Sequence, residues 1–269
     1  MLGELFAYVY AQVPRGHVFK VAAGSRLAYT PPMDIKEQEL LGDAVSQHWY
    51  YTSKAAAVSH VLQGVTFDRI LDVGAGSGFF SRHLLSTTSA AQSLCVDPNY
   101  ERDWTESVDN KPLLFRRDAQ DYAADLVLLM DVLEHVDDDI ALLTHYTHDL
   151  KAGAKVLITV PAFPFLWSGH DVFLEHRRRY TLDTLRPVVK GAGLNIVNDC
   201  YGFGLLFPLA ATMRFARRLK EPDAAPQSDL KVHHPVINAA LGAICALERP
   251  LMNGNTLMGL SVFCLAEKP

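Results

Sequence analysis

The sequence has no CxxC pair. Its four cysteines, Cys95, Cys200, Cys245 and Cys264, lie far apart, each in an apolar run. That excludes zinc ribbons and dithiol redox work, and the thiols read as small core hydrophobes. Nor is there a strong charge of either sign: Lys and Arg total 25 against 30 Asp and Glu, for a net charge of -5. With no sequence-wide basic field and no aromatic–basic stripe, no nucleic-acid partner is expected. Long hydrophobic runs are missing too. The longest apolar stretch, 201–213, is broken by Pro208 and falls short of the roughly 20 helical residues a bilayer requires. The opening residues, MLGELFAYVYAQVPRG, lack a basic segment and a small-residue cleavage site. They do not read as a secretory signal, and a cytoplasmic location is expected. There is no internal repeat and no low-complexity tract.

What remains is a chain of 269 residues, 49% hydrophobic and 20% charged. That suits one large α/β domain with insertions and excludes a disordered chain. Its charge is unevenly divided: residues 97–149 carry 14 acidic and 4 basic side chains, residues 176–220 carry 9 basic and 2 acidic. A cofactor-binding half and a partner-facing half could differ in this way.

Residues 1–66 have helical character. Asp34 can cap a helix through Ile35, Leu40, Leu41, Val45 and Trp49, and a second helix carries Tyr50, Tyr51, Ala55, Val58 and Leu62 before stopping at Gly64. From there, short apolar runs at 69–73, 93–96, 113–115, 125–130, 154–160, 194–200 and 257–265 alternate with helix-length intervals. This is the rhythm of βαβ units on a parallel sheet. The division that follows is a helical lid region at 1–66, a core at 67–200, a helical insertion with a mobile polar linker at 201–255, and a closing strand at 256–269.

The most informative segment is RILDVGAGSGFF at 69–80: a buried strand, a turn with glycines at 74, 76 and 78, and a helix starting near Phe79. Such glycines take positive φ and let a ligand approach the backbone closely, at the carboxyl end of a strand where α/β sheets bind ligands. A dinucleotide fingerprint fits poorly, because the third glycine comes one position early. Asp72 before the turn also suits the ammonium of an amino-acid ligand better than a diphosphate. Asp97 ends the second strand, where a carboxylate can accept both hydroxyls of a ribose. Asp118 follows the third, within reach of an adenine amino group.

In order and at the usual spacing, LDVGAGSG (71–78), Asp97, the Asp-Ala pair at 118–119 and LLMDVLEHV (128–136) resemble the class I S-adenosylmethionine-dependent methyltransferases, across roughly residues 65–200. The resemblance implies an α/β fold, a Rossmann-like, doubly wound seven-stranded sheet with an antiparallel last strand. It also implies S-adenosyl-L-methionine as cofactor, contacted by Asp72, Gly74, Gly76, Asp97, Asp118, Ala119 and Asp131.

Methyl transfer needs alignment and water exclusion, and a base only where the acceptor must lose a proton. The candidates are His135, which resembles the histidine of the family's LEHV segment, and the adjacent His170 and Asp171 after the fifth strand. That loop, with WSGHDVFLEHRRRYT, resembles a subgroup of small bacterial methyltransferases. Tyr51, Arg178 and Tyr180 are the candidate acceptor contacts. The spacing of His170, Asp171, Glu175 and His176 matches no standard metal site, and no metal is expected. The implied reaction is methylation at oxygen or nitrogen of a small-molecule or lipid-like acceptor. The basic half suggests an anionic one, and the segment 201–220 offers a peripheral membrane contact. The rival readings are a non-catalytic S-adenosylmethionine-binding regulatory partner and a nucleotide-dependent oxidoreductase. The oligomeric state stays open.

Overall fold

A computed structural model describes residues 42–119, 122–220 and 227–269. The Asp34-capped helix over Ile35, Leu40 and Leu41 lies outside the described residues. An eight-stranded sheet runs in the order β3-β4-β2-β1-β5-β6-β8-β7. Its strands are β1 (Arg69–Val73), β2 (Gln92–Val96), β3 (Trp104–Val108), β4 (Lys111–Arg116), β5 (Leu126–Met130), β6 (Lys155–Pro161), β7 (Asn195–Gly202) and β8 (Ser261–Glu267). β4, β2, β1, β5 and β6 are parallel neighbours, while β8 lies antiparallel between β6 and β7. β5 is buried at every position, as its unbroken apolar run requires of a strand covered on both faces.

The seven strands implied by the sequence are therefore eight. The extra one, β3, pairs antiparallel with β4 at the sheet edge. Asp109 and Asn110, at φ 50° and 64°, make the two-residue turn that closes this hairpin, a conformation these residue types tolerate better than others. The closing strand also begins at Ser261 rather than near 257. The Asn255 side-chain amide donates to the carbonyls of Tyr201 (3.0 Å) and Met258 (2.8 Å), which holds that segment in a turn.

Helices cover both faces: α1 (Trp49–Val61), α2 (Phe79–Thr87), α3 (Asp139–Thr147), α4 (Gly169–Phe173), α5 (Leu182–Gly191), α6 (Phe207–Lys220) and α7 (Pro235–Glu248). Thr181 caps α5 and Asp138 caps α3 with their side chains, each satisfying an amide that the first helical turn leaves open. Two apolar clusters result, one per face of the sheet. One joins β-strand residues to α3 and α5, the other to α1 and α2. All four cysteines are buried thiols. Among the described residues no helix is long and apolar enough to cross a membrane.

α1 lies beside α7: the Trp49 amide donates to Asn238 Oδ1 (2.8 Å), and the Asn238 amide group donates to the Gln47 carbonyl (2.9 Å). The described part of the polar linker touches the N-terminal helical region. Leu230 packs with Val45, Tyr51 and Phe79, and a His48 ring nitrogen lies 3.1 Å from the Lys231 carbonyl.

Candidate functional site

The turn after β1 holds Gly74, Gly76 and Gly78 at φ 65°, 51° and 74°. The amides of Gly74 and Ala75 donate to the Val96 carbonyl at 2.8 and 3.3 Å, and Tyr100 donates its hydroxyl to the Gly76 carbonyl at 2.6 Å. The loop is thus stitched to the end of β2. A Cβ at Gly78 would lie 3.0 Å from the Phe115 ring and 3.1 Å from Cys95 Sγ. Gly78→Ala is therefore expected to cost about 2–4 kcal/mol, summing a left-handed backbone penalty and overpacking. Urea denaturation checks this; a loss below about 1 kcal/mol would contradict it.

Acids stand at the adjacent strand ends. Asp72, buried in β1, accepts from Ser81 Oγ at 2.7 Å, and Ser81 in turn accepts from Ser93 at 2.8 Å. Asp97 is also fully buried, and its Oδ1 accepts from the Asn99 amide (2.9 Å) and side-chain nitrogen (3.1 Å). Asp118 is exposed beside half-buried Ala119, whose amide donates to its Oδ1. The Tyr146 phenol on α3 is pushed up to about 12, first by burial and then by the charges of Asp118 and Asp97. These two acids therefore share one neighbourhood.

Past β5 comes a buried polar network. Asp131, at φ 56°, pairs with Lys54 of α1 and accepts from the Thr159 hydroxyl at 3.2 Å. The single 3₁₀ turn Leu133–His135 follows, with Glu134 and His135 both buried. The segment after α4 clamps this turn, since the Arg177 amide donates to the Glu134 carbonyl and its Nε to the His135 carbonyl, each at 2.7 Å. His176 is thereby set against His135, ring centroids 4.9 Å apart. Asp171 Oδ1 lies 2.9 Å from His176 Nδ1, and both carboxylate oxygens accept from Arg179 at 2.6 and 3.0 Å. Burial works against the Asp171 charge, but His176 and Arg179 outweigh it and hold the carboxyl well below the usual range.

His170 and Asp171 part company here. The Asp171 carboxylate turns to His176, whereas His170 Nδ1 accepts from the Asp229 amide at 3.1 Å. Tyr51 is buried against Phe79, ring centroids 5.4 Å apart, over the start of α2. Arg178 donates to Asp139 (3.1 Å) and to the carbonyls of Val136 (2.9 Å) and Asp137 (2.8 Å). Tyr180 donates to Asp139 at 2.8 Å. Both therefore hold the loop after β5 to the start of α3. Sequence reasoning did not single out Lys54 or Glu134, and it weighed His176 only in a metal grouping with His170, Asp171 and Glu175.

The sequence matches the family described as a methyltransferase domain over residues 39–199. The chain belongs to this family. No curated protein matches the methyltransferase. Among solved structures it is similar to a chain of the complex between the Haloferax volcanii Trm112 methyltransferase activator and a methyltransferase, at 18% identity and TM-score 0.51, over 87% of this chain and 92% of that one. It is also similar to the [4+2]-cyclase SpnF, at 14% identity and TM-score 0.50, over 91% and 99%. A third is the SAM-dependent methyltransferase from Archaeoglobus fulgidus, at 17% identity and TM-score 0.47, over 87% and 98%. At such identities the first two establish the fold alone.

The family's cofactor is S-adenosylmethionine, and the residues present fit it. Three positive-φ glycines open the end of β1, and buried carboxylates at the ends of β1 and β2 suit an ammonium and a ribose diol. Asp72, Gly74, Gly76 and Asp97 would hold it, with Asp118 and Ala119 at the adenine end.

The methyltransferase also carries a pH signature. Burial pushes the His170 imidazole down to about 4 against the raising effect of Asp229, and burial lowers His48 and His83 as well. At these histidines the unfolded chain binds protons that the folded one does not, so their contribution to stability is fully present above about pH 6.5 and is lost as pH drops toward 4. Urea midpoints between pH 7 and pH 4 should decline, and His170→Asn should flatten the decline.

Proposed function

We propose that this methyltransferase moves a methyl group to oxygen or nitrogen of a small, lipid-like and anionic acceptor. The cofactor supplies an activated methyl and its own leaving group when bound. The protein's share is to exclude water, orient the acceptor and hold its departing proton. His135, buried at the end of β5, is the proposed proton holder, and the lid of Tyr51, Phe79 and Leu230 keeps water out.

One observation carries the acceptor class: an apolar rim meets a basic one beside the loop after β6. Phe163 stacks on Tyr201 at 4.7 Å and lies within 5.4 Å of Phe165 and Phe207. Leu205, Leu209 and Met213 next to them are more than half exposed. At the far end of α6, Arg214 and Arg217 share the single carboxylate of Asp229 (3.0 and 2.8 Å), and Arg218 donates to the Trp167 carbonyl. Positive charge is left over next to apolar surface, which suits a lipid-like anion or the surface that presents it.

The test is transfer of a tritiated methyl group across anionic amphiphiles, their uncharged analogues and short water-soluble counterparts. Anionic amphiphiles should turn over fastest, and Arg217→Glu should raise their KM. A preference for short uncharged acceptors would overturn the assignment.

A further inference from the structure

We infer that Glu134, His135 and His176 form a binding site for a divalent transition cation of the zinc class, with Asp171 as the carboxylate that orients His176. The inference is independent of the acceptor class proposed above; in the metal-loaded protein His135 is a ligand, and its proton-holding role belongs to the metal-free form. All three side chains are buried, and one ligand atom from each lies within 4.8 Å of the others. A four-coordinate ion with bonds of about 2.1 Å needs its donors roughly 3.4 Å apart, so these side chains would have to close in by about 1 Å or less around it.

Two features point to a ligand rather than to packing. Glu134 is 0% exposed, yet neither carboxylate oxygen has a hydrogen-bond partner among the described residues. A carboxylate so placed is costly unless neutralised or bound to a cation. Moreover, His176 Nδ1 lies 2.9 Å from Asp171 Oδ1 while its Nε2 is buried and unpartnered. With the proton on Nδ1, a bare lone pair is left on the face shared with His135 and Glu134. This carboxylate–imidazole arrangement fixes the tautomer of metal-binding histidines. Arg179 and the Ser168 amide (2.8 Å) in turn hold Asp171, so the orienting carboxylate is itself fixed.

Charge favours the same occupant. Asp131 is paired with Lys54 and Asp171 with Arg179, whereas Glu134 has no ion-pair partner among the described residues. Two imidazoles and one carboxylate with an open fourth position make a donor set known for zinc.

The experiment uses the untagged full chain, stripped of metal and titrated with Co2+ and then Zn2+. The expected result is one equivalent of Co2+ with the visible bands of a tetrahedral or five-coordinate ion, displaced by Zn2+. Glu134→Gln and His176→Gln should abolish these bands while calorimetric binding of S-adenosylmethionine persists. Asp171→Asn should weaken the metal roughly 10–100-fold. Should the variants fail to fold, X-ray absorption of the zinc-loaded wild type decides, with two imidazoles and a carboxylate oxygen expected in the first shell. No stoichiometric binding, bands that survive in His176→Gln, or a shell with fewer than two imidazoles would overturn the site. A wild-type chain that binds S-adenosylmethionine but takes up neither Co2+ nor Zn2+ would leave the methyltransferase reading standing and this one refuted.

Discussion

Lys54→Met is expected to lower stability by about 3–5 kcal/mol, the cost of stranding a buried charge. The side chains of Lys54 and Asp131 are 1% and 5% exposed and form an ion pair between α1 and the end of β5. Burial works against the ammonium, but the Asp131 charge outweighs it and raises the lysine above its ordinary value, with Tyr50 contributing. Methionine keeps the length of the stem, so the loss measures the abandoned carboxylate rather than a cavity. Replacing both partners, Lys54→Met with Asp131→Asn, should recover much of the loss, because the uncharged amide still accepts from Thr159 and tolerates the left-handed backbone at 131. Urea denaturation of the single and double variants checks both. A single-variant loss below about 1 kcal/mol would mean that the pair behaves like an exposed one. The same contact joins α1 to the end of β5, so the single variant should also weaken cofactor binding.

The second large effect is on binding. Asp97→Ala is expected to weaken S-adenosylmethionine by about 100-fold or more, since two hydrogen bonds to a charged acceptor are worth about 1.5–3 kcal/mol each. The Asp97 carboxylate is 0% exposed, and Asn99 grips its Oδ1 from two nitrogens. It is therefore held in place before the cofactor arrives, so little ordering entropy offsets the bonds. Asn99→Ala should cost less, about tenfold, because it loosens the carboxylate without removing it. Calorimetry resolves both, with thermal melts confirming the fold. A loss below tenfold for Asp97→Ala would remove it from the cofactor pocket.

These residues were legible from the sequence to different degrees. The glycine turn and the acids at the ends of β1 and β2 can be read because each is fixed by its own strand end, a few residues of local conformation. The same holds for the caps Thr181 and Asp138. Lys54 could not be read, because a lysine on an apolar helix looks solvated until its partner 77 residues on is known. Nor could the pairing of Asp171 with His176, since it forms only when α4 ends and the chain folds back over the turn at Glu134. His170, adjacent to Asp171, was the natural but different partner to expect. β3 was missed because WTESV lacks an apolar run and its pairing depends on the Asp109–Asn110 turn. Arg178 reads as an acceptor contact; in the fold it ion-pairs with Asp139, as Arg177 and Arg179 do with Asp137 and Asp171. The basic surface that remains is on α6.

The most direct test of the central claim is isothermal titration of the purified chain with S-adenosylmethionine and with its demethylated product. Methyl transfer at the ends of β1, β2 and β5 predicts one site for each, both at micromolar affinity or better, and both lost in Asp97→Ala. Absence of binding by either compound at high micromolar concentration would contradict the account.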